Sequence, residues 1–264
     1  MLKTIFTDTP SGLLCLRGFA ITAVLAITAL PVSAATISIG SAGSVDTGVG
    51  VIDAGCSDVD IQGQLAGSLH GARHVNIGAG ASAGGAMFGL SGDWVNQGPR
   101  ELNTAIDWRD GCGVTEASML GSSDLTTLHI ATDLGRVIRF DSQGEQRVEQ
   151  GLALNGNSGQ RLRLRPSAEF QFAALSLDFG ASQQIAGVDV AYIDSSAGQA
   201  IAPGTPDDYD SVRDGPVRNW FVLPAVPVPA MGVMSTFFLI ALMGLLGLLV
   251  QPFDLFGVRG VTRK

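Results

Sequence analysis

Residues 161–165 have the sequence Arg161-Leu162-Arg163-Leu164-Arg165, in which charged and apolar side chains alternate strictly. Because successive side chains of a β-strand point to opposite faces, this pattern predicts a strand with its leucines in a core and its arginines in solvent. The segment Val188–Asp194 begins with the same alternation, since Val188 and Val190 flank Asp189. Both segments therefore predict strands that are buried on one face only.

The rest of the region between residues 35 and 224 consists of short apolar runs separated by Gly, Ser, Asn and Asp, and it shows no convincing helix pattern. The other predicted strands are Thr36–Gly40, Val59–Leu65, His74–Ile77, Leu90–Val95, Leu125–Ala131, Val137–Asp141, Arg147–Leu154 and Ala173–Phe179. Glycines that suit tight solenoid corners recur between the early runs: Gly63, Gly67, Gly71, Gly78, Gly80, Gly84 and Gly85. We expect an all-β fold, a right-handed parallel β-helix (solenoid), with a β-sandwich as the alternative because the strand spacing suits both.

Composition narrows the range of partners. The chain has 264 residues, of which 35 are Gly and only 15% are charged. Residues 35–229 contain 22 Asp and Glu against 11 Arg and no Lys, a net charge of −11. An acidic domain of this kind lacks the basic face that phosphate backbones require, so we expect no nucleic-acid partner.

The N-terminal end has the three parts of a secretory signal peptide. Lys3 and Arg17 precede the uncharged apolar stretch Gly18–Leu30, and Pro31 ends that stretch. Small residues follow, which predicts cleavage by signal peptidase between Ala34 and Ala35.

The C-terminal end carries a second apolar segment, Ala230–Val250, which has 21 residues and no charge. As a helix it measures about 31 Å, the thickness of a hydrocarbon core. The residues after it include Arg259, Arg263 and Lys264, which favour a cytoplasmic tail. The predicted organisation is a signal peptide (1–34), a β-rich repeat ectodomain (35–203), an Asp- and Pro-rich linker with a sorting motif (204–229), a transmembrane helix (230–250) and a basic tail (251–264).

Two cysteines remain after removal of the signal peptide, Cys56 and Cys112. An even number of cysteines in an exported protein favours a disulfide between them. Neither cysteine has a Cys or His at the short spacing that a metal site requires.

Two motifs suggest chemistry but have simpler explanations. Gly80-Ala81-Ser82-Ala83-Gly84 matches the G-x-S-x-G turn of hydrolases, but the residues that follow do not form the helix which that mechanism requires. His70 and His74 have the spacing of zinc ligands on a helix, but the intervening glycine opposes a helix. We therefore expect no catalytic residue, no metal site and no cofactor.

Three other groups leave alternatives open. The carboxylates of Asp207–Gly215 suggest a calcium loop, but a solvated linker is preferred. Arg161, Arg163 and Arg165 could bind an anionic ligand, or they could be paired with carboxylates of a neighbouring rung such as Glu145 or Glu149. The three tryptophans could form a stacking platform for a glycan or could be buried: Trp94, Trp108 and Trp220.

The segment Pro227-Val228-Pro229-Ala230-Met231-Gly232, the apolar helix after it and the basic end resemble an exosortase-type sorting signal of the IPTL variety, found in Gram-negative bacteria. The middle of the chain is similar to repeat-bearing proteins with such tails, through Cys56, Gly92–Asn96, Asp110–Gly113 and Asn219–Phe221. The resemblance implies processing by an exosortase-type transpeptidase or protease and transient anchoring in the membrane. It also implies a structural or interaction role at the cell surface or in the extracellular matrix, without a reaction. The alternatives are a glycan-binding module, with surface polysaccharide as its partner, and a β-helix enzyme that acts on polysaccharide.

Overall fold

The computed structural model describes residues 35–223. The predicted signal peptide, the transmembrane helix, the tail and several processing residues lie outside this range: Ala34, Pro227, Val228, Pro229, Arg259, Arg263 and Lys264. No helix within residues 35–223 is long and apolar enough to cross a membrane.

The described residues form eighteen β-strands and one short 3-10 turn, Pro206–Tyr209. The strands are β1 (Thr36–Ile39), β2 (Ser44–Asp53), β3 (Asp58–Ile61), β4 (Gln64–Ala72), β5 (Val75–Ile77), β6 (Met87–Leu90), β7 (Trp94–Asn96), β8 (Glu101–Arg109), β9 (Glu116–Leu120), β10 (Ser123–Ala131), β11 (Val137–Phe140), β12 (Glu145–Asn155), β13 (Leu162–Pro166), β14 (Ala173–Leu177), β15 (Ser182–Ala186), β16 (Val188–Val190), β17 (Ile193–Asp194) and β18 (Val212–Arg213).

The strands form two nine-stranded sheets. Sheet 1 has the order β1-β3-β5-β7-β9-β11-β13-β16-β18, and sheet 2 has the order β17-β14-β12-β10-β8-β6-β4-β2 with β15 also paired to β12. Each pair of neighbouring strands is parallel. Through most of the fold the chain alternates between the two sheets, so one rung of the solenoid contributes one strand to each. The predicted parallel β-solenoid is confirmed, and the alternative of a β-sandwich is wrong.

The core lies between the sheets and is built from inward-facing residues stacked from rung to rung. In sheet 1, Val59 pairs with Val75, Val75 with Trp94 and Trp94 with Met119, and all four are buried. The alternation at residues 161–165 also has its predicted result, since Leu162 and Leu164 are fully buried while Arg163 is exposed. A parallel strand that is buried on one face and exposed on the other keeps this alternation of apolar and polar side chains. A parallel strand that is buried on both faces is apolar along its whole length.

Three predicted strands contain a corner of the solenoid. Val59–Leu65 is divided at Gln62 and Gly63, Leu90–Val95 at residues 91–93, and Val188–Asp194 at Ala191 and Tyr192. The apolar pattern resumes directly after these corners because the inward faces of both sheets contribute to the same core. Each corner has only two or three residues, which is too few to separate the flanking strands clearly in the sequence pattern.

The solenoid also extends beyond the predicted boundary at residue 203. β18 pairs with β16, and Trp220, which is 3% exposed, pairs with Ile201. Residues 204–223 are thus part of the last rung, and the prediction of a solvated linker starting at residue 204 is wrong. The aspartates of this segment lie on the surface, while Trp220 is buried and Tyr209, Val217 and Phe221 pack against the core.

Candidate functional site

The structure joins Cys56 and Cys112 in a disulfide, as predicted. Cys56 follows β2 and Cys112 follows β8, so the bond passes over the ends of β4 and β6, which lie between them in sheet 2. A cleft of about 300 Å³ lies beside the bond and is lined by His70, Asp107 and Arg109, among others. The disulfide therefore stabilises one edge of the solenoid across several rungs.

Asp107 is the centre of a small polar cluster on the outer face of sheet 2. Its carboxylate lies 2.8 Å from Nδ1 of His129 and 2.8 Å from Nε of Arg109. His70 lies two rungs away, with Gly89 between them in the ladder. The carboxylate of Asp107 is therefore occupied by hydrogen bonds and ion pairs with Arg109 and His129, which hold neighbouring parts of the sheet surface together.

The turn that carries Cys112 is held from inside by Arg136, whose side chain is fully buried. Its Nη1 donates to the carbonyl of Arg109 at 2.9 Å, and its Nη2 donates to the carbonyl of Val114 at 2.8 Å. Burial lowers the pKa of the Arg136 guanidinium, and the carboxylate of Asp110 nearby opposes that shift. Arg136 is thus a structural residue, and no pattern around residue 136 distinguishes it in the sequence from the exposed arginines.

The two motifs that suggested chemistry have structural explanations. Ser82 is exposed and forms an isolated bridge with Gln64, and the residues after it lead into strand β6 and not into a helix. His70 lies in β4 of sheet 2, whereas His74 lies in the corner before β5 and accepts a hydrogen bond from the backbone of Asp93 at 2.8 Å. Within residues 35–223 no group of three or more His, Cys, Asp and Glu side chains is arranged to hold a metal ion.

The carboxylates of residues 207–215 engage separate partners. Asp208 accepts hydrogen bonds from the backbone and hydroxyl of Thr205, and these bonds, chiefly the backbone one, lower the pKa of Asp208. Asp210 lies 3.5 Å from Arg161, and Asp214 lies 3.0 Å from Arg165. The aspartates therefore do not converge on one point, as a calcium loop would require.

Two of the three arginines of residues 161–165 face carboxylates, but not the predicted ones, whereas Arg163 donates to the backbone carbonyl of Gly135 at 3.3 Å. Arg165 pairs with Asp189 and Asp214, and Arg161 pairs with Asp210. The prediction of Glu145 or Glu149 as partners is wrong, because the opposing carboxylates come from the rungs that follow β13.

All three tryptophans are in the core. Trp94 and Trp108 are completely buried, and Trp220 is nearly so. The indole N–H of Trp94 donates to Ser123 Oγ at 3.1 Å, and that of Trp220 donates to Ser195 Oγ at 2.7 Å. The tryptophan stacking platform is therefore wrong, and the alternative of buried tryptophans is confirmed.

An exposed aromatic ring, Phe170, belongs to a feature that we call the aromatic corner and define as Phe170, Phe172 and Tyr192, of which the last two are half-buried. Phe170 and Phe172 follow β13, and Tyr192 occupies the equivalent corner of the next rung, after β16. The Tyr192 ring centroid lies 5.8 Å from that of Phe170 and 5.9 Å from that of Phe172, both in edge-to-face geometry. Phe170 is 77% exposed.

The aromatic corner has an unusual backbone and a neighbouring cleft. Phe170 has φ 61° and Tyr192 has φ 56°, in the left-handed region that bulky residues rarely adopt. A cleft of about 330 Å³ lies between these rings and the side chains of Arg139, Arg165, Glu169 and Asp214. The corner therefore combines an exposed aromatic face with both positive and negative groups.

Comparisons with protein-family models, curated proteins and solved structures find no match for this chain.

Proposed function

We propose that the chain is an exported protein with a structural or interaction role at the bacterial cell surface or in the extracellular matrix, and that it acts without catalysis. The observation that carries this proposal is the Cys56–Cys112 disulfide. It lies in the region between the expected signal peptide (residues 1–34) and the expected membrane anchor (residues 230–250). Disulfides form and persist in oxidising compartments, so the bond agrees with export directed by residues 1–34.

The surface of the solenoid supports an interaction role. Most of its arginines are paired with carboxylates, as Arg73 is with Asp58 and Arg147 with Asp178, each at 2.7 Å. With twice as many carboxylates as arginines in residues 35–229, the surface remains acidic after pairing. Such a surface favours solubility outside the cell and repels anionic lipid headgroups. A solenoid also holds corners from different parts of the chain in fixed positions along one axis.

We also propose that the solenoid winds in a right-handed sense. The protein then reaches the cell surface by the following sorting route. Signal peptidase cleaves between Ala34 and Ala35, the helix of residues 230–250 anchors the chain briefly in the membrane, and an exosortase-type enzyme then processes the segment at residues 227–230. Proline opposes a helix and favours extended backbone, so we expect Pro227 and Pro229 to keep that segment accessible to a protease.

Mass spectrometry of the surface-located protein tests this route. We expect an N-terminus at Ala35 and a C-terminus before Met231. Recovery of the surface form with Arg259–Lys264 still attached would contradict the temporary anchor, and an intact residue 1–34 segment would contradict export by signal peptidase.

A further inference from the structure

We infer that the aromatic corner is a binding site for a neutral glycan, with a sugar ring stacked on Phe170. The inference rests on the proposed surface location for its biological setting, but the site itself is argued from the geometry of the corner. The inference specifies the ligand class, a neutral glycan, and the part of the solenoid that would bind it.

The first step concerns the exposed ring. An apolar side chain that is 77% exposed beside a cleft contributes little to the core, and Phe170 also holds a backbone conformation that disfavours bulky residues. The Tyr192 ring is nearly perpendicular to the Phe170 ring at a centroid distance of 5.8 Å, and Phe170 keeps most of its surface in contact with solvent. A pyranose ring has a flat C–H face that packs on an aromatic face of this kind.

The second step concerns the orientation of polar groups in the cleft. Arg165 is fixed by four contacts, since Nη2 donates to Asp189 and Asp214 and Nη1 donates to the carbonyls of Leu164 and Asp189. The carboxylate of Asp214 receives Arg165 on one oxygen and is 64% exposed. Within residues 35–223, Glu169 takes part in no hydrogen bond or ion pair. Two carboxylates at the cleft therefore have oxygens that can accept hydrogen bonds from ligand hydroxyls.

The third step concerns the charge of the ligand. The arginines that line the cleft are already paired, Arg139 with Glu116 and Arg165 with two aspartates. An anionic ligand would meet Glu169 and Asp214 without an unpaired cation to compensate it. A cationic ligand would meet Arg139 and Arg165 beside Glu169 and Asp214, so the lining offers a surface of one sign to neither charged class. A neutral polyhydroxyl ring can donate hydrogen bonds to Glu169 and Asp214 and needs no unpaired cation, so it fits this mixed lining best.

The size of the cleft agrees with a small part of a glycan. Its volume of about 330 Å³ lies at the lower end of small-molecule sites, which span about 300–1,000 Å³. We therefore expect recognition of a few sugar units in a longer chain.

A matched control exists at Phe179. This residue is 84% exposed and lies between β14 and β15, away from the cleft. Phe170→Ala and Phe179→Ala remove the same ring from similarly exposed positions, but only the first removes the proposed stacking face.

The experiment uses the full-length chain in a detergent without a sugar headgroup. The probes are maltohexaose, cellohexaose and chitohexaose as neutral glycans, hexagalacturonate as an acidic glycan and hexalysine as a cationic peptide. We expect at least one neutral glycan to bind, with affinity about tenfold lower in Phe170→Ala and unchanged in Phe179→Ala. Asp214→Asn should also weaken binding, and thermal unfolding should show that each variant is folded.

The inference is overturned if no neutral glycan binds the wild-type chain, if hexagalacturonate or hexalysine binds more tightly than the neutral probes, or if the two Phe variants behave alike. Because binding is measured in vitro, its failure leaves the processing and location of the protein unaffected. Conversely, Phe170-dependent binding by a chain with unprocessed termini in cells would refute the proposed function alone.

Discussion

Cys56 and Cys112 follow strands three positions apart in sheet 2, yet their Cα atoms are only 5.5 Å apart. Adjacent strands are about 4.8 Å apart, so strands three positions apart are separated by about 14 Å. The two corners must therefore extend toward each other over the ends of β4 and β6. Both cysteines adopt positive φ, 63° and 48°, at the points where these corners reverse direction.

Loss of this disulfide should destabilise the protein. The bond joins residues 56 apart in sequence, and its removal frees that loop in the unfolded chain. In the chain-entropy model we expect the double variant Cys56→Ser/Cys112→Ser to lose about 4 kcal/mol of unfolding free energy, measured by urea denaturation. The wild-type thiols should also resist alkylation until the protein is unfolded and reduced. Labelling of both thiols without reductant would contradict the bond.

Arg136→Met should destabilise the solenoid strongly. The methionine approximates the volume of the side chain but leaves the carbonyls of Arg109 and Val114 without their buried donor. Hydrogen bonds from a charged group contribute about 1.5–3 kcal/mol each, so we expect a loss of about 3–5 kcal/mol in urea denaturation.

Arg109→Ala is the control for Arg136→Met. The Arg109 side chain is 63% exposed, and its backbone carbonyl remains available to Arg136. We expect a loss of less than about 1 kcal/mol, as for other exposed ion pairs. Equal losses in the two variants would show that Arg136 does not support the turn from inside.

Alanine substitutions at two glycines with similar backbone conformations test how closely neighbouring rungs pack. Gly121 has φ 81° and Gly113 has φ 70°, so alanine is strained at either position, by about 1–2 kcal/mol. A Cβ at Gly121 would lie 2.0 Å from the carbonyl oxygen of Asn96, whereas a Cβ at Gly113 would have no atom within 4 Å.

We expect Gly113→Ala to cost only the backbone strain and Gly121→Ala to cost about 3 kcal/mol more, because the neighbouring rung must move. Denaturant unfolding of both variants gives the difference directly. Similar midpoints for the two would mean that the contact between Gly121 and Asn96 is not as close as the structure has it.

The architecture could be predicted from the sequence because its main signal is local. The alternation at residues 161–165 and the short runs between glycines reflect inward and outward positions of single strands, and these do not depend on distant partners. The corners at Gln62 and Tyr192 were missed because apolar residues continue on both sides of them. Strand β2 was missed because Gly48 and Gly50 interrupt its pattern.

The aromatic corner could not be predicted, because it depends on how the rungs align. Phe170 and Tyr192 become neighbours only when β13 and β16 pair in their observed register. The local signal available was a pair of phenylalanines in a polar context at residues 167–172, but nothing in that stretch identifies Tyr192 as their partner. The partners of Arg165 were misassigned for the same reason.

Acid should weaken the fold through two aspartates whose pKa values are below normal. The pKa of Asp58 is lowered chiefly by its hydrogen bond from Arg73, and that of Asp178 by its hydrogen bond from Arg147. Because each pKa is lower in the folded chain than the unfolded value of about 3.9, the folded state is favoured while the groups are ionised. This contribution is complete above about pH 4 and is lost as the pH falls through the folded-state pKa values.

The variant Asp58→Asn/Asp178→Asn isolates this contribution, since asparagine keeps the shape of the side chain but does not titrate. We expect it to be less stable than the wild type at pH 7, and we expect the two midpoints of thermal unfolding to converge below pH 4. Arg73 and Arg147 remain charged over this pH range. The way in which the difference in thermal midpoint between wild type and variant changes with pH therefore reports the two aspartates alone. A difference in midpoint that stays constant from pH 7 to pH 2 would show that these pairs are not linked to folding, because a linked pair must lose its contribution once its carboxylate is protonated.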